Sequence, residues 1–486
     1  MNDVYPKTLR RIVAALAGVL ALSHCAQNPV TGDKDFVLMS EAQEIQMGLQ
    51  AHKDVLKEYP ALDNAALQAY VTEVGQRLAQ QSHRPQLQWH FTVVDSPDVN
   101  AFALPGGYVY ITRGIMAYLN SEAELAGVIG HEIGHVTARH GVRQQSAQTA
   151  AGLGAVLGSV LVPGLGNQAG ANLLQTLAQA WTAGYGREHE LESDRLGAQY
   201  LARTGYSPQA MIDVIGVLKN QELFAADEAR RDGRQPRSYH GTFDTHPSND
   251  TRLKQVVGEA EKYTVQAPRE GRNEYLQQLA GVVFGDSPAQ GLIRNNQLLH
   301  PVLGLAMQFP PGWRVDNRPD RVVALSPKGD ALVELQPGPR NDQPLVTLQK
   351  GLKLDAGARY DTGQLSGHPA AFAAGAQQGK PVLAAAVVFK GAQYLVAGMA
   401  KDKAAYDRER ATLRNALNSF RALTPSEVRD ARPYRLQLTT AQPGTTMAAL
   451  ARQSPLGATA ESQLRLMNAL YPGGEPHAGQ RLKIVQ

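Results

Sequence analysis

The chain has one cysteine, Cys25, among 486 residues. A lone thiol excludes an internal disulfide, so the folded domains must hold by packing even in an oxidising compartment. An excess of charge of one sign is also missing. The formal net charge is only +4 and is dispersed, which excludes the basic footprint of a nucleic-acid binder. Long hydrophobic runs are absent too. "IVAALAGVLAL" (Ile12 to Leu22) is too short to span a bilayer in a mature protein. "AAGLGAVLGSVLVPGLG", within the stretch Ala150 to Ala180, is broken by Pro163 and many glycines, so a span is not expected there either. A helical flap over a cleft, or a surface for membrane-protein clients, are the two functional readings of that stretch. What the chain does have is material for a core: 43% hydrophobic and 19% charged residues, ordinary for globular domains.

The N-terminus has the form of a targeting segment. Lys7, Arg10 and Arg11 precede the short apolar run, and "LSHC" follows it. The cysteine resembles that of a bacterial lipobox, which makes Cys25 a lipidation site and 1–24 a signal peptide. His24 departs from that pattern, where a small residue is usual. The plainer alternative is a free thiol after an ordinary signal peptide.

Helical periodicity starts after Ser40 and Asn64, both good N-caps. "LQWHFTVVD" and Tyr108 to Thr112 read as strands, the second after a Pro-Gly-Gly turn at Pro105 to Gly107. Ala225 to Gly241 reads as a polar loop. From His300 to Thr424 short alternating runs such as "ALVELQ" and "AAAVVFK" predict an antiparallel sheet, closed by the helical "KAAYDRERATLRNALNSF". After the link "TPSEVRDARP" comes a final unit of strand-helix-helix-strand spacing.

The chemistry concentrates in "AGVIGHEIGHVTARHG", Ala126 to Gly141. Ser121 and Glu124 predict a capping box at its helix start. His131 and His135, at i and i+4, project from one face, with Glu132 beside them. In H-E-x-x-H two neutral imidazoles hold zinc and the glutamate takes the proton of the attacking water. The plain alternative is a pair of helix histidines satisfied by backbone or carboxylate groups. Ala138 and Gly141 stand where the longer metzincin spelling needs glycine and histidine, so that class is excluded. His140, half a turn out of phase with His131, is expected to point away from the metal. In "EHELESD" Glu190 and Asp194 share a helix face: Glu190 can supply the third ligand and Asp194 can accept the spare N–H of a ligand histidine. Glu188 and Glu192 are expected as solvated charges or as competitors for that place.

These motifs, with "NPVTG", "NAFALPGGYVYITRGIM", "EHELESDRLGAQYL" and "THPSNDTRL" in that order, resemble the HtpX and BepA type of gluzincin metalloproteases, kin of the CAAX prenyl endoprotease. The resemblance runs from Asn28 to Tyr263. It implies one Zn2+ per chain held by His131, His135 and Glu190, with Glu132 as base and Asp194 behind the ligands. It implies that the strand around Asn100, Ala101, Phe102, Gly106 and Gly107 is an edge strand that pairs with an extended substrate. His246 and Arg252 match active-site positions. Either could stabilise the oxyanion; His246 could instead enter the metal's open position as an inhibitor, or be a loop histidine stacked on Pro247.

The expected fold class is α+β: a mainly helical gluzincin domain with a small sheet (25–270), a linker (271–299), an antiparallel α/β domain weakly similar to PsbP/Mog (300–424) and a LysM-like βααβ module (433–486). Gly444-Thr445-Thr446 departs from the Gly-Asp-Thr of LysM modules, which leaves glycan binding or a degenerate docking module. The function expected is a zinc endopeptidase of the bacterial envelope, periplasmic and lipid-anchored to the outer membrane of a Gram-negative cell. Its substrates would be unfolded or misassembled envelope proteins. Peptidoglycan and the outer-membrane assembly machinery are candidate partners, and nucleic acid is not. The competing class is a protease-derived chaperone or scaffold with its chemistry held off.

Overall fold

A computed structural model describes residues 25–147, 149, 186–231, 249–339 and 343–486. The signal segment, the Ala150 to Ala180 stretch and His246 lie outside them. The chain forms two compact units. One is Val283–Arg435 with a short piece that begins at Ala229; the other is the rest, so that Leu436–Gln486 belongs with the N-terminal half. Among the described residues no helix is long and apolar enough to cross a membrane.

The first unit opens with a small hairpin, β1 (Cys25–Gln27) and β2 (Lys34–Phe36). Helix α1 (Glu41–Glu58) starts at a complete capping box of Ser40 and Gln43, and α2 (Ala65–Ala79) starts at Asn64, whose side chain accepts from Leu67 N. Strands β3 (His90–Val94), β4 (Ala101–Leu104) and β5 (Tyr108–Thr112) follow in the order β3-β5-β4, so β4 is an edge. It runs antiparallel to β5, while β3 runs parallel to β5. Gly106 and Gly107, at φ 84° and 101°, are the turn between β4 and β5 rather than strand positions. A side chain on Gly107 would also put its Cβ 2.8 Å from Gln88 O.

After the short α3 (Arg113–Met116) comes α4 (Glu122–Thr137), buried along its whole length. Apart from Glu122, Glu124, His131, Glu132 and His135, its residues are small or apolar, as burial of a central helix requires. The remaining helices are α5 (Arg187–Arg203), α6 (Gln209–Arg231), α7 (Asn249–Ala260) and α8 (Arg272–Leu279). The last corrects the expected linker at 271–299. Tyr275, Leu276 and Leu279 make a buried stripe that packs α8 down, with Tyr275 OH donating to Met116 O at 2.7 Å. The polar residues between them hide that stripe in the sequence.

The second unit begins with β6 (Val283–Phe284), β7 (Leu292–Arg294), β8 (Gln297–His300) and β9 (Leu305–Gln308). Its main sheet is antiparallel throughout, in the order β10-β11-β12-β16-β15-β14-β13. The strands are β10 (Arg314–Asn317), β11 (Val322–Leu325), β12 (Ala331–Pro337), β13 (Arg359–Leu365), β14 (His368–Gln377), β15 (Lys380–Phe389) and β16 (Ala392–Ala400). Helix α9 (Pro344–Gly351) covers one face, where Leu348 packs with Ala371, Ala384 and Ala386. Helix α10 (Lys403–Asn418), capped by Asp402, covers the other, where Leu413 and Leu417 pack with Val333, Val387, Phe389 and Phe420. Covering both faces explains why β15 is apolar at nearly every position. The unit closes with β17 (Arg421–Ala422) and α11 (Pro425–Asp430).

The C-terminal piece runs β18 (Tyr434–Thr440), α12 (Met447–Ala451), α13 (Ala460–Met467) and β19 (Arg481–Val485). Leu436 to Thr440 pair antiparallel with Arg481 to Val485. This piece is anchored in the first unit. Lys483 is fully buried and donates to Leu119 O just before α4. Gln463 donates to Tyr118 OH, and Tyr471 OH to Asp227.

Candidate metal centre

The central helix α4 is placed by both its ends. Ser121 Oγ accepts from Glu124 N at 3.1 Å. The Glu124 carboxylate reaches one residue further back than a capping box would, to Asn120 N at 2.8 Å. At the other end buried Arg84 donates to Val136 O at 3.1 Å and to Glu44 at 2.7 Å.

Glycines let α5 approach this helix. Gly130 and Gly134, each one residue before a histidine, lie on one face of α4. A Cβ on Gly134 would lie 3.0 Å from Ser193 Cα, and one on Gly197 would lie 3.2 Å from His131 N. The close approach carries Glu190 to the histidines. His131 Nε2 lies 3.5 Å from Glu190 Oε2, His135 Nε2 lies 3.4 Å from Glu190 Oε1, and the two Nε2 atoms are 3.0 Å apart. Among the described residues, this trio is the group of histidines and acids whose donor atoms converge, all within 4.8 Å of one another. Two imidazoles and a carboxylate make a set that suits zinc and leaves one tetrahedral position open.

The outer nitrogens are also held. His131 Nδ1 is 2.8 Å from Asp194 Oδ1. Arg252 grips Asp194 through Nε at 2.8 Å and Nη2 at 2.7 Å, a fork that fits a carboxylate. Its Nη1 lies 3.4 Å from Glu190 Oε2. Arg252 therefore sets the carboxylates in place, and its charge is directed at them. Burial drives the His131 pKa down, but hydrogen bonds to Asp194 and Glu190 outweigh it and raise it to about 9. At His135 burial prevails and the pKa falls well below its ordinary value.

His140 is not one of the converging donors, yet it lies against one of them. Helix α4 ends at Thr137, and Arg139 takes φ 57°, so the chain turns back beneath the helix before helical backbone resumes at 140. The phase argument assumed a continuous helix. His140 Nδ1 lies 2.9 Å from His135 Nδ1, and its Nε2 lies 3.0 Å from Glu192 Oε2. Glu192 is accordingly no solvated charge: it also accepts from Arg143 at 3.1 Å. Its carboxyl is desolvated, yet bonding to His140 and Arg143 holds it down at about 2. Glu188 is exposed, as a solvated charge should be.

Beside the trio lies a cleft whose walls include His131, Glu132, Arg252 and, from the approach to β4, Asn100 and Ala101. Phe102, half-buried on the same edge strand, stacks on Tyr110 with ring centroids 4.7 Å apart. Apolar Val128, Met211 and Val214 complete the walls.

Residues 65–260, which include His131, Glu132, His135, Glu190, Asp194 and Arg252, match the model of peptidase family M48. This part of the chain is similar to M48 peptidases. The beta-barrel assembly-enhancing protease of Escherichia coli is 32% identical over 245 residues, 49% of this chain and 48% of that protein. The mitochondrial metalloendopeptidase OMA1 of Arabidopsis thaliana is 35% identical over 155 residues, 32% of this chain and 30% of that protein. The chain thus spans about half or less of the length of these two relatives. A cyanobacterial PsbP (CyanoP) structure from Synechocystis aligns with 29% of this chain and 98% of its own at 13% identity, with a TM-score of 0.22; that value is too low to establish a fold.

Proposed function

We propose that the chain is a zinc-dependent endopeptidase of the bacterial cell envelope that cleaves misfolded or misassembled periplasmic and outer-membrane proteins. The observation that carries this reading is the convergence of His131, His135 and Glu190 beside a cleft that also holds Glu132 and the edge of the small sheet. The relatives' names, a beta-barrel assembly-enhancing protease and a mitochondrial metalloendopeptidase, support the same chemistry.

In this reading His131, His135 and Glu190 hold the metal. Zinc bound there would supply Lewis acidity toward the scissile carbonyl and the attacking water. Glu132 takes a proton from that water and returns it to the leaving amine. Asn100, Ala101 and Phe102 present an unpaired strand edge, along which an extended peptide would gain backbone hydrogen bonds. Asp194 fixes the ring of His131 and Arg252 fixes Asp194; His246 either stabilises the oxyanion or enters the metal's open position as an inhibitor. The apolar wall around Val128 and Met211 would exclude water from the reacting carbonyl.

The same proposal keeps 1–24 as a signal peptide and Cys25 as the lipid anchor to the outer membrane. It takes 300–424 and 433–486 as PsbP/Mog-like and LysM-like binding modules, with peptidoglycan or the assembly machinery as their partners. Casein cleavage by the mature protein, with Glu132→Gln alongside, tests the activity. Turnover lost in the variant with its zinc retained is the expected result, and turnover near wild type would overturn the mechanism.

A further inference from the structure

We infer that His140 is a positioning residue for the metal site, acting through a relay from His135 to Glu192 that fixes which nitrogen of His135 faces the metal. The inference rests on the zinc reading above.

A ligand imidazole needs its second nitrogen tied, or the ring turns and the wrong nitrogen carries the proton. The two ligand histidines are tied differently. His131 Nδ1 meets a carboxylate directly, Asp194 at 2.8 Å. His135 Nδ1 meets another imidazole, His140 Nδ1, at 2.9 Å. Two neutral imidazoles facing each other through Nδ1 can share only one proton there, so one must donate and the other accept.

Glu192 decides which. Its carboxylate can only accept, and its Oε2 is 3.0 Å from His140 Nε2. The proton of His140 therefore sits on Nε2, and its Nδ1 presents a lone pair. His135 must then carry its proton on Nδ1, which leaves the Nε2 lone pair directed at Glu190 and His131. Arg143, 3.1 Å from the same Glu192 oxygen, holds that carboxylate charged and in place.

The local fold is built to hold this arrangement. Arg139 adopts φ 57°, a conformation that disfavours a residue with a Cβ. It is kept there by bonds from its guanidinium to Glu44 at 2.8 Å and to Met39 O at 3.1 Å. That turn is what swings His140 under α4. His189, one residue before Glu190, stacks on the His140 ring at 4.3 Å and 15°, and His140 is fully buried. The ring is thus fixed on its face and at both nitrogens.

A residue that only fills space would change stability without changing how tightly zinc is held. The test is therefore zinc affinity of the mature protein, by competition with a chelator, in His140→Ala, His140→Gln and Glu192→Gln. Absorption of the cobalt-substituted protein is recorded in parallel. His140→Ala should weaken zinc about 10- to 100-fold, the usual effect of losing such a partner. It should also shift the cobalt spectrum. His140→Gln, whose Oε1 can accept from His135 and whose Nε2 can donate to Glu192, should recover most of the affinity. Glu192→Gln, which can present a donor to His140, should weaken binding in the same direction as the alanine. Wild-type affinity in His140→Ala, or a glutamine variant no better than the alanine, would overturn the relay. If Glu190→Ala loses zinc while all three variants keep it, only the relay fails. If the wild type itself takes up no zinc, the metal reading fails and the relay with it.

Discussion

The two units bury different things. In the second, the buried polar residues among those described are Ser287, Ser326, Thr347 and Gln393, none of them charged. The first unit buries Glu44, Arg84, Glu122, His131, Glu132, Arg139, Glu190, Asp194, Arg252 and Lys483, among others. Buried charges are costly unless each finds a partner, and removing one partner is worse than never having had the pair. A fold that needed only a core would resemble the second unit. In the first, some of these groups meet at one cleft: His131, Glu132 and Arg252 line it, and Glu190 and Asp194 lie against them, which is where catalytic groups with shifted pKa values are expected. Charge burial, more than fold class, locates the chemistry.

The sharpest way to break this contrast is to remove one buried charge without changing shape. Glu132→Gln should lower peptide hydrolysis by about a hundredfold to ten-thousandfold, the range for a general base. Zinc content and thermal unfolding should stay as in wild type, measured by metal analysis and calorimetry. A comparable loss of stability would mean that Glu132 serves packing rather than chemistry.

Next in size is an apolar change in the second unit. Phe389, 1% exposed in the core beneath α10, replaced by alanine should destabilise by about 3–5 kcal/mol. Denaturant unfolding measures it. A change of under about 1 kcal/mol would show that this sheet does not depend on its apolar core as described.

Arg252→Lys sharpens the comparison from the charged side. Lysine keeps the charge but cannot reproduce the two parallel bonds to Asp194. Zinc affinity should fall about tenfold or more as Asp194 loosens from His131. Unchanged affinity would show that charge alone suffices there.

The smallest effect concerns a surface pair in the second unit. The hydrogen bond from Arg421 draws the Glu427 carboxyl down to about 2, helped by Thr424. A depressed carboxyl contributes stability that is complete above its unfolded pKa, near 4.5, and is lost as pH falls through about 2. Partly exposed, the pair should contribute no more than about 1 kcal/mol. The stability difference between wild type and Glu427→Gln should therefore shrink as pH drops from 4.5 toward 2. A difference that does not vary over that window would show the pair to be inert.

Much of the site was legible from local spacing. His131 and His135 share a face because four residues nearly complete a helical turn, and Glu190 and Asp194 share one for the same reason. The helix starts at Ser40, Asn64 and Ser121 were equally local. What escaped depended on where the chain turns. His140 could be placed only by knowing that Arg139 takes a positive φ, and no glycine or asparagine marks that turn. Arg252 matched a site position, but its grip on Asp194 is a tertiary contact without a local signature. The burial of Lys483 in the first unit was equally out of reach. One missed signal was present: Gly130 and Gly134, each preceding a histidine, mark the face where another helix comes close. For the second unit, alternation announced an antiparallel sheet but not its strand order, which packing on both faces determines.

The central claim is that His131, His135 and Glu190 hold a catalytic zinc. The most direct measurement is the metal content of the purified mature chain beside that of Glu190→Ala, read by elemental mass spectrometry after exhaustive dialysis. The account predicts about one zinc per wild-type chain and almost none in the variant. No zinc in the wild type, or equal zinc in both, would contradict it.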